Sequence, residues 1–130
     1  MADTISQLQH HYLDGSPRLH YTLIGESEER TVLLIHGSTQ HAGAWQYTAA
    51  LMTGYRVAAL DLRAHGQSGW NGAYSPPDYL DDVTRMIDAL GQPIALIGHS
   101  MGSLVSMLYA SQRPETLWAV GFVDIDARPP

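Results

Sequence analysis

Five residues, Gly98-His99-Ser100-Met101-Gly102, carry a G-x-S-x-G spacing able to turn a serine hydroxyl into a nucleophile for acyl transfer. The apolar run Ile94-Ala95-Leu96-Ile97 stands directly before them and reads as a buried strand. A helix is expected over 101–113, stopped by Pro114, which disfavours helical geometry in Arg113. At such a turn the serine backbone is strained so that its hydroxyl projects, and the two glycines let strand and helix approach closely. The unpaired N–H groups at the start of the helix face any negative charge that develops beside Ser100. Ile35-His36-Gly37-Ser38 ends another buried strand, a place where acyl-transfer enzymes of such an architecture put a second oxyanion donor, so the backbone N–H groups of Ser38 and Met101 are the candidate oxyanion hole.

A serine hydroxyl is a weak nucleophile near neutral pH, so a histidine must take its proton and an acid must hold that histidine in the right tautomer. His10, His11 and His20 fall on a hairpin and read as solvent-facing strand residues. His41 lies just beyond the oxyanion segment and is a candidate pocket residue. His99 is another, although its place inside the turn directs its ring away from the Ser100 hydroxyl. Asp61, Arg63 and His65 sit in a glycine-bearing turn after a buried strand, where hydrogen bonds that fix the loop explain them better than catalysis does. Asp124 and Asp126 follow the last apolar run; Asp124, which directly extends that strand, is the candidate acid, and Asp126, two residues farther out beside Arg128, is expected to form a surface ion pair.

The elements that must position these residues are legible in outline. Residues 10–14 and 18–24 flank Gly15-Ser16-Pro17 and predict an antiparallel hairpin. Residues 32–35, 57–60, 94–97 and 119–123 are nearly continuous apolar runs, as expected for strands covered on both faces. A helix from Ser75 to Gly91 shows Leu80, Val83, Ile87 and Leu90 on one face and Asp81, Asp82 and Asp88 on a solvated one. Its start carries Ser75, Pro76 and Asp78, a capping-box pattern, and a shorter helix is expected over 43–53. Strands alternating with helices mean α/β: a mostly parallel sheet of about six strands, helices on both faces and an N-terminal antiparallel hairpin, in one domain over residues 1–130.

Three segments in this order, His36-Gly37-Ser38, Asp61-Leu62-Arg63-Ala64-His65-Gly66-Gln67-Ser68 and Gly98-His99-Ser100-Met101-Gly102, resemble the α/β-hydrolase superfamily in its serine esterase-like branch. The resemblance runs from about residue 10 to 126. It departs at Ala64, where the family usually has Gly, which touches the local turn geometry. It implies a Ser100 acyl-enzyme, and a serine at the elbow speaks against the carboxylate-attack chemistry of dehalogenases and epoxide hydrolases. Some esterase-like members place the acid after the strand corresponding to 119–123, which would make Asp124 the acid. The family's chain order is serine, acid, histidine, and no histidine follows His99. The expectation is therefore an incomplete α/β-hydrolase fold lacking the cap and last strands, weak or inactive without a C-terminal histidine. The alternative is a non-catalytic or split subunit that associates with itself or with a C-terminal companion chain through the open sheet edge.

Composition narrows the rest. A net charge of −6, from 13 acidic and 7 basic residues, makes nucleic acid an unfavourable partner. Zero cysteines and the absence of lysine exclude thiolate metal sites and lysine-bearing phosphate loops, so no cofactor or metal is expected. The start of the chain has neither a basic nor a long apolar segment, and no run approaches the ~18 apolar residues of a membrane span. The expectation is a cytoplasmic protein acting on a small ester-like molecule, with no membrane partner.

Overall fold

Side chains alternating on three apolar strands decide the architecture, because each strand must bury both of its faces. A computed structural model describes residues 7–25 and 28–125. In chain order the elements are β1 (Gln9–Leu13), β2 (Leu19–Ile24), β3 (Thr31–Ile35), a 3₁₀ turn (Ala42–Trp45), α1 (Gln46–Leu51), β4 (Arg56–Leu60), α2 (Pro76–Leu90), β5 (Ile94–His99), α3 (Met101–Gln112), a second 3₁₀ turn (Pro114–Thr116) and β6 (Leu117–Val123). They form one six-stranded sheet in the order β1-β2-β4-β3-β5-β6. The β1–β2 and β2–β4 pairings are antiparallel, and β4, β3, β5 and β6 run parallel to one another.

On one face Leu33, Ile35, Ala58, Leu60, Ile94 and Leu96 pack against Val83, Met86 and Ile87 of α2 and Val105 and Tyr109 of α3. On the other face Val32, Leu34, Val57, Ala59 and Ala95 meet Ala42, Ala49 and Ala50 from the first 3₁₀ turn and α1. The expected mostly parallel sheet with helices on both faces is what the chain forms. The start of α2 is capped as its sequence predicts: Asp78 accepts from the Ser75 N–H at 2.8 Å, and Gly91 leaves the helix at φ 88°.

Two local expectations are corrected. The helix expected over 43–53 is a 3₁₀ turn followed by a short α1, because the His41 imidazole accepts the Gly43 N–H at 3.0 Å and tightens the chain there. Asp82 does not share the solvated face with Asp81 and Asp88. It is fully buried, and its carboxylate takes the Arg63 N–H at 2.8 Å and the Arg63 guanidinium at 2.8 to 3.2 Å. Burial opposes the charge on Arg63, but the Asp82 hydrogen bond and the carboxylates of Asp82, Asp78 and Asp81 outweigh it and raise its pKa.

This pair pins the loop after β4 onto α2. Removing one partner leaves an uncompensated buried charge, so Asp82→Ala should destabilise the protein by about 3–5 kcal/mol in urea titration. A loss below about 1 kcal/mol would mean that Asp78 and Asp81 neutralise Arg63 in its place.

Candidate active site

Ser100 stands between β5 and α3 at φ 53°, ψ −114°, a conformation few non-glycine residues adopt. Local packing imposes it. A Cβ on Gly98 would collide with the backbone of Gly102 and Ser103, and one on Gly102 would strike the carbonyls of Ile35 and His36. Strand, helix and the end of β3 thus touch backbone to backbone around the turn. The Ser100 N–H donates to the Val123 carbonyl at 2.9 Å, and Ser103 Oγ donates to the Gly98 carbonyl at 2.7 Å. Among the described residues no side chain hydrogen-bonds the Ser100 hydroxyl.

The loop after β3 is anchored by His36, which is fully buried. Its Nδ1–H donates to the Gly37 carbonyl at 2.7 Å, and its Nε2 accepts the Leu62 N–H at 3.0 Å, so the ring is neutral and ties the ends of β3 and β4 together. Burial is the main cause that lowers its pKa from 6.5 to about 4, helped by His65 and His41 and opposed by the Gly37 hydrogen bond and Asp61. The loop then exposes Ser38. Among the described residues neither the Ser38 N–H nor the Met101 N–H has a hydrogen-bond partner.

His36 gives a pH dependence with a definite sign. Its folded pKa lies below the unfolded value, so the unfolded chain binds the extra proton more readily as pH falls from 6.5 toward 4. Stability should drop across that window by up to roughly 3 kcal/mol, with no further loss from this group below it. The melting temperature of the wild type should therefore fall more steeply between pH 6.5 and 4 than that of His36→Asn. Parallel profiles would assign the loss to other groups.

The other candidates separate into two places. His99 faces Gln40 Oε1 through Nδ1 at 3.1 Å and Asp124 Oδ2 through Nε2 at 3.6 Å, with the Trp45 ring edge-on at 6.5 Å between centroids. Gln40, Ala44, Trp45, Thr48, His99 and Val123 line a cavity of about 210 Å³ beside the elbow. Asp124 is directly C-terminal to β6 at φ 55°, with 81% of its side chain exposed. Asp126 lies outside the described residues.

His41 is elsewhere. It lines a larger cavity of about 340 Å³ with His10, His20 and Asp61, on the β2–β4 side of the sheet. That cavity is the roomier one, but the strained serine and the free N–H groups are not in it.

His20 was expected to face solvent and is buried at 2% exposure, because β2 lies inside the sheet, between β1 and β4. Its Nδ1–H donates to Asp61 at 2.6 Å, and its Nε2 meets His10 Nδ1 at 2.9 Å. Asp61 also accepts the Ala42 N–H at 2.6 Å and the Gln67 N–H at 2.9 Å, so it fixes its own loop and the turn that opens α1. This acid–imidazole pair has the chemistry of a triad's acid–base half. Its imidazole, His20 on β2, stands three strands from β5, roughly 14 Å at ordinary strand spacing, and cannot serve Ser100. Ala64, the departure from the family's turn, takes the left-handed φ of 63° that glycine would adopt freely. Sequence reasoning passed over Gln40 and Trp45, which bear no motif; their positions between Gly37 and α1 were the one available signal.

Among the described residues no cluster of three or more His, Asp or Glu side chains is placed to hold a metal ion. No described helix is long and apolar enough to cross a membrane.

The family model described as serine aminopeptidase, S33, matches residues 26–123. The chain is 33% identical over 107 residues to Lipase LipV of Mycobacterium tuberculosis, covering 82% of this chain and 41% of that protein. It is 33% identical over 112 residues to the sn-1-specific diacylglycerol lipase ABHD11 of Mus musculus, covering 82% and 36%. Its fold superposes on the thioesterase domain from the curacin biosynthetic pathway with a TM-score of 0.81 at 35% identity, over 87% of this chain and 43% of that one. The epoxide hydrolase VrEH1 from Vigna radiata superposes with a TM-score of 0.88 at 23% identity, over 96% and 42%, a likeness of fold alone. The chain thus spans less than half the length of these relatives.

Proposed function

The chain belongs to the serine aminopeptidase S33 family of the α/β-hydrolase superfamily, and from that premise we propose that it carries the nucleophile and oxyanion hole of a serine hydrolase acting on small ester-like carbonyl compounds. The observation that carries this reading is the backbone of Ser100, strained at φ 53° on a strand-to-helix turn with the free Met101 N–H beside it.

In the proposed reaction Ser100 Oγ attacks the carbonyl carbon while its proton passes to an imidazole base. The N–H groups of Ser38 and Met101 hold the oxyanion. Collapse of the tetrahedral intermediate breaks the bond to the leaving alkoxide, which takes the proton from the imidazolium and departs as the alcohol. Water then attacks the acyl-Ser100 ester by the same route and releases the acid. The base comes from outside residues 1–130, since no described imidazole reaches the Ser100 hydroxyl and no histidine follows His99. Asp124 is the proposed acid, supported by its place at the C-terminal end of β6, where ligands bind in open α/β sheets.

Treatment with a fluorophosphonate in the presence of a complementary histidine-bearing segment, followed by peptide mass spectrometry, tests the nucleophile: the adduct should sit on Ser100 and vanish in Ser100→Ala. Modification of another serine, with Ser100 untouched, would overturn the assignment.

A second reading, a non-catalytic or split subunit, has one observation in its favour. β6 is an edge strand with Trp118, Val120, Phe122 and Val123 all more than 40% exposed, a surface suited to pairing with a further strand. A stable complex formed without any Ser100 labelling would select it.

A further inference from the structure

Gly37 N–H and His99 Nδ1 converge on one atom, the carboxamide oxygen of Gln40, at 3.2 and 3.1 Å. Chemistry fixes the assignment of that side chain. A backbone N–H can only donate, so the Gln40 atom facing Gly37 is the oxygen, and its second lone pair obliges His99 Nδ1 to carry a proton. The contact joins two elements distant in sequence, the loop after β3 and the turn holding Ser100. The fit is close: a Cβ on Gly37 would lie 2.9 Å from His99 Nδ1 and 3.2 Å from Gln40 Oε1. With Gly37 N–H occupied, Ser38 N–H is the next donor along that loop, and it has no hydrogen-bond partner among the described residues.

We infer that Gln40 is a positioning residue of the acyl-transfer site: its carboxamide oxygen locks the oxyanion loop to His99 and leaves Ser38 N–H as the donor that faces the reacting carbonyl. This rests on the Ser100 reading. Gln40 touches no reacting atom; it acts through Gly37 and His99. Trp45 and Val123 line the same cavity beside His99, and among the described residues Gln40 is the hydrogen-bond partner that its Nδ1 has. Without Gln40, the remaining attraction is the Asp124 carboxylate at 3.6 Å from Nε2, which draws the proton to the opposite nitrogen.

Two measurements on the purified protein decide it separately. Nitrogen-15 NMR of the His99 ring at pH 8 should show the Nδ1–H tautomer in the wild type and in Gln40→Glu, which keeps an acceptor oxygen, and the Nε2–H tautomer in Gln40→Leu. An unchanged tautomer in Gln40→Leu overturns the bridge, whatever the activity. With p-nitrophenyl acetate and a complementary segment that supplies the histidine base, Gln40→Leu should lower kcat about 10- to 100-fold with KM within twofold and a melting temperature within 2 °C of wild type, the size expected for a misplaced oxyanion donor. An unaltered kcat overturns the positioning role. Failure of the wild type to be labelled at Ser100 would instead sink the nucleophile reading, while the tautomer still judges the bridge.

Discussion

Ser100→Ala should lower kcat for an activated ester by roughly 10⁶-fold when a base-bearing histidine is supplied by a complementary segment, the loss seen when a triad nucleophile is deleted. The 130-residue chain by itself should be far slower than that complemented form. It would keep only the proposed oxyanion donors and whatever the cavity beside His99 binds, which in a triad enzyme leaves roughly 10³- to 10⁴-fold over water. The two arms are linked: complementation should raise turnover in the wild type and do nothing for Ser100→Ala. Triad-level turnover by the chain alone would place the base within it. His41 would then be the first residue to test, although it lines the far cavity with His20 and Asp61 rather than the one beside the elbow.

Asp124→Asn should cost about 10⁴ in kcat of the complemented enzyme with the fold intact, because the acid sets the tautomer of the histidine it holds. The position favours this residue. Val123 accepts the Ser100 N–H, so the chain arrives at the elbow one residue before Asp124. Its side chain is 81% exposed and paired only loosely with His99 at 3.6 Å, leaving the carboxylate free to take another partner. Circular dichroism should not distinguish the variant from wild type. A decrease smaller than tenfold would move the acid's role to a later strand and leave Asp124 as a neighbour of His99.

The strands, their two-faced burial and the elbow were legible because each depends on residues adjacent in sequence. Runs such as Val32 to Ile35 announce a strand covered on both sides, and the glycines around Ser100 announce a turn with no room for side chains. What escaped depended on partners far along the chain. His20 reads as an outward strand residue until Asp61, 41 positions later, is placed against it. Asp82 borders the apolar stripe of its helix, beside Met86 and Tyr79, but a carboxylate there reads as solvated until Arg63, 19 residues upstream, is placed against it. Gln40 carried no pattern at all; its role comes from His99, 59 residues away.

The strand order has a consequence for synthesis. β3 is the centre of the parallel sheet, yet both of its neighbours, β4 and β5, are translated after it. From the moment Ile35 leaves the ribosome, 64 further residues must follow before His99 completes β5, since 99 less 35 is 64. At common elongation rates that is on the order of 3 to 13 s. Throughout that interval the run Thr31–Ile35, buried at every position in the finished sheet, has at least one bare edge. A nascent chain held at that stage presents an apolar strand to whatever is nearby. Slowing translation between β4 and β5 should therefore increase the demand on chaperones that bind extended apolar segments, more than slowing it after β5.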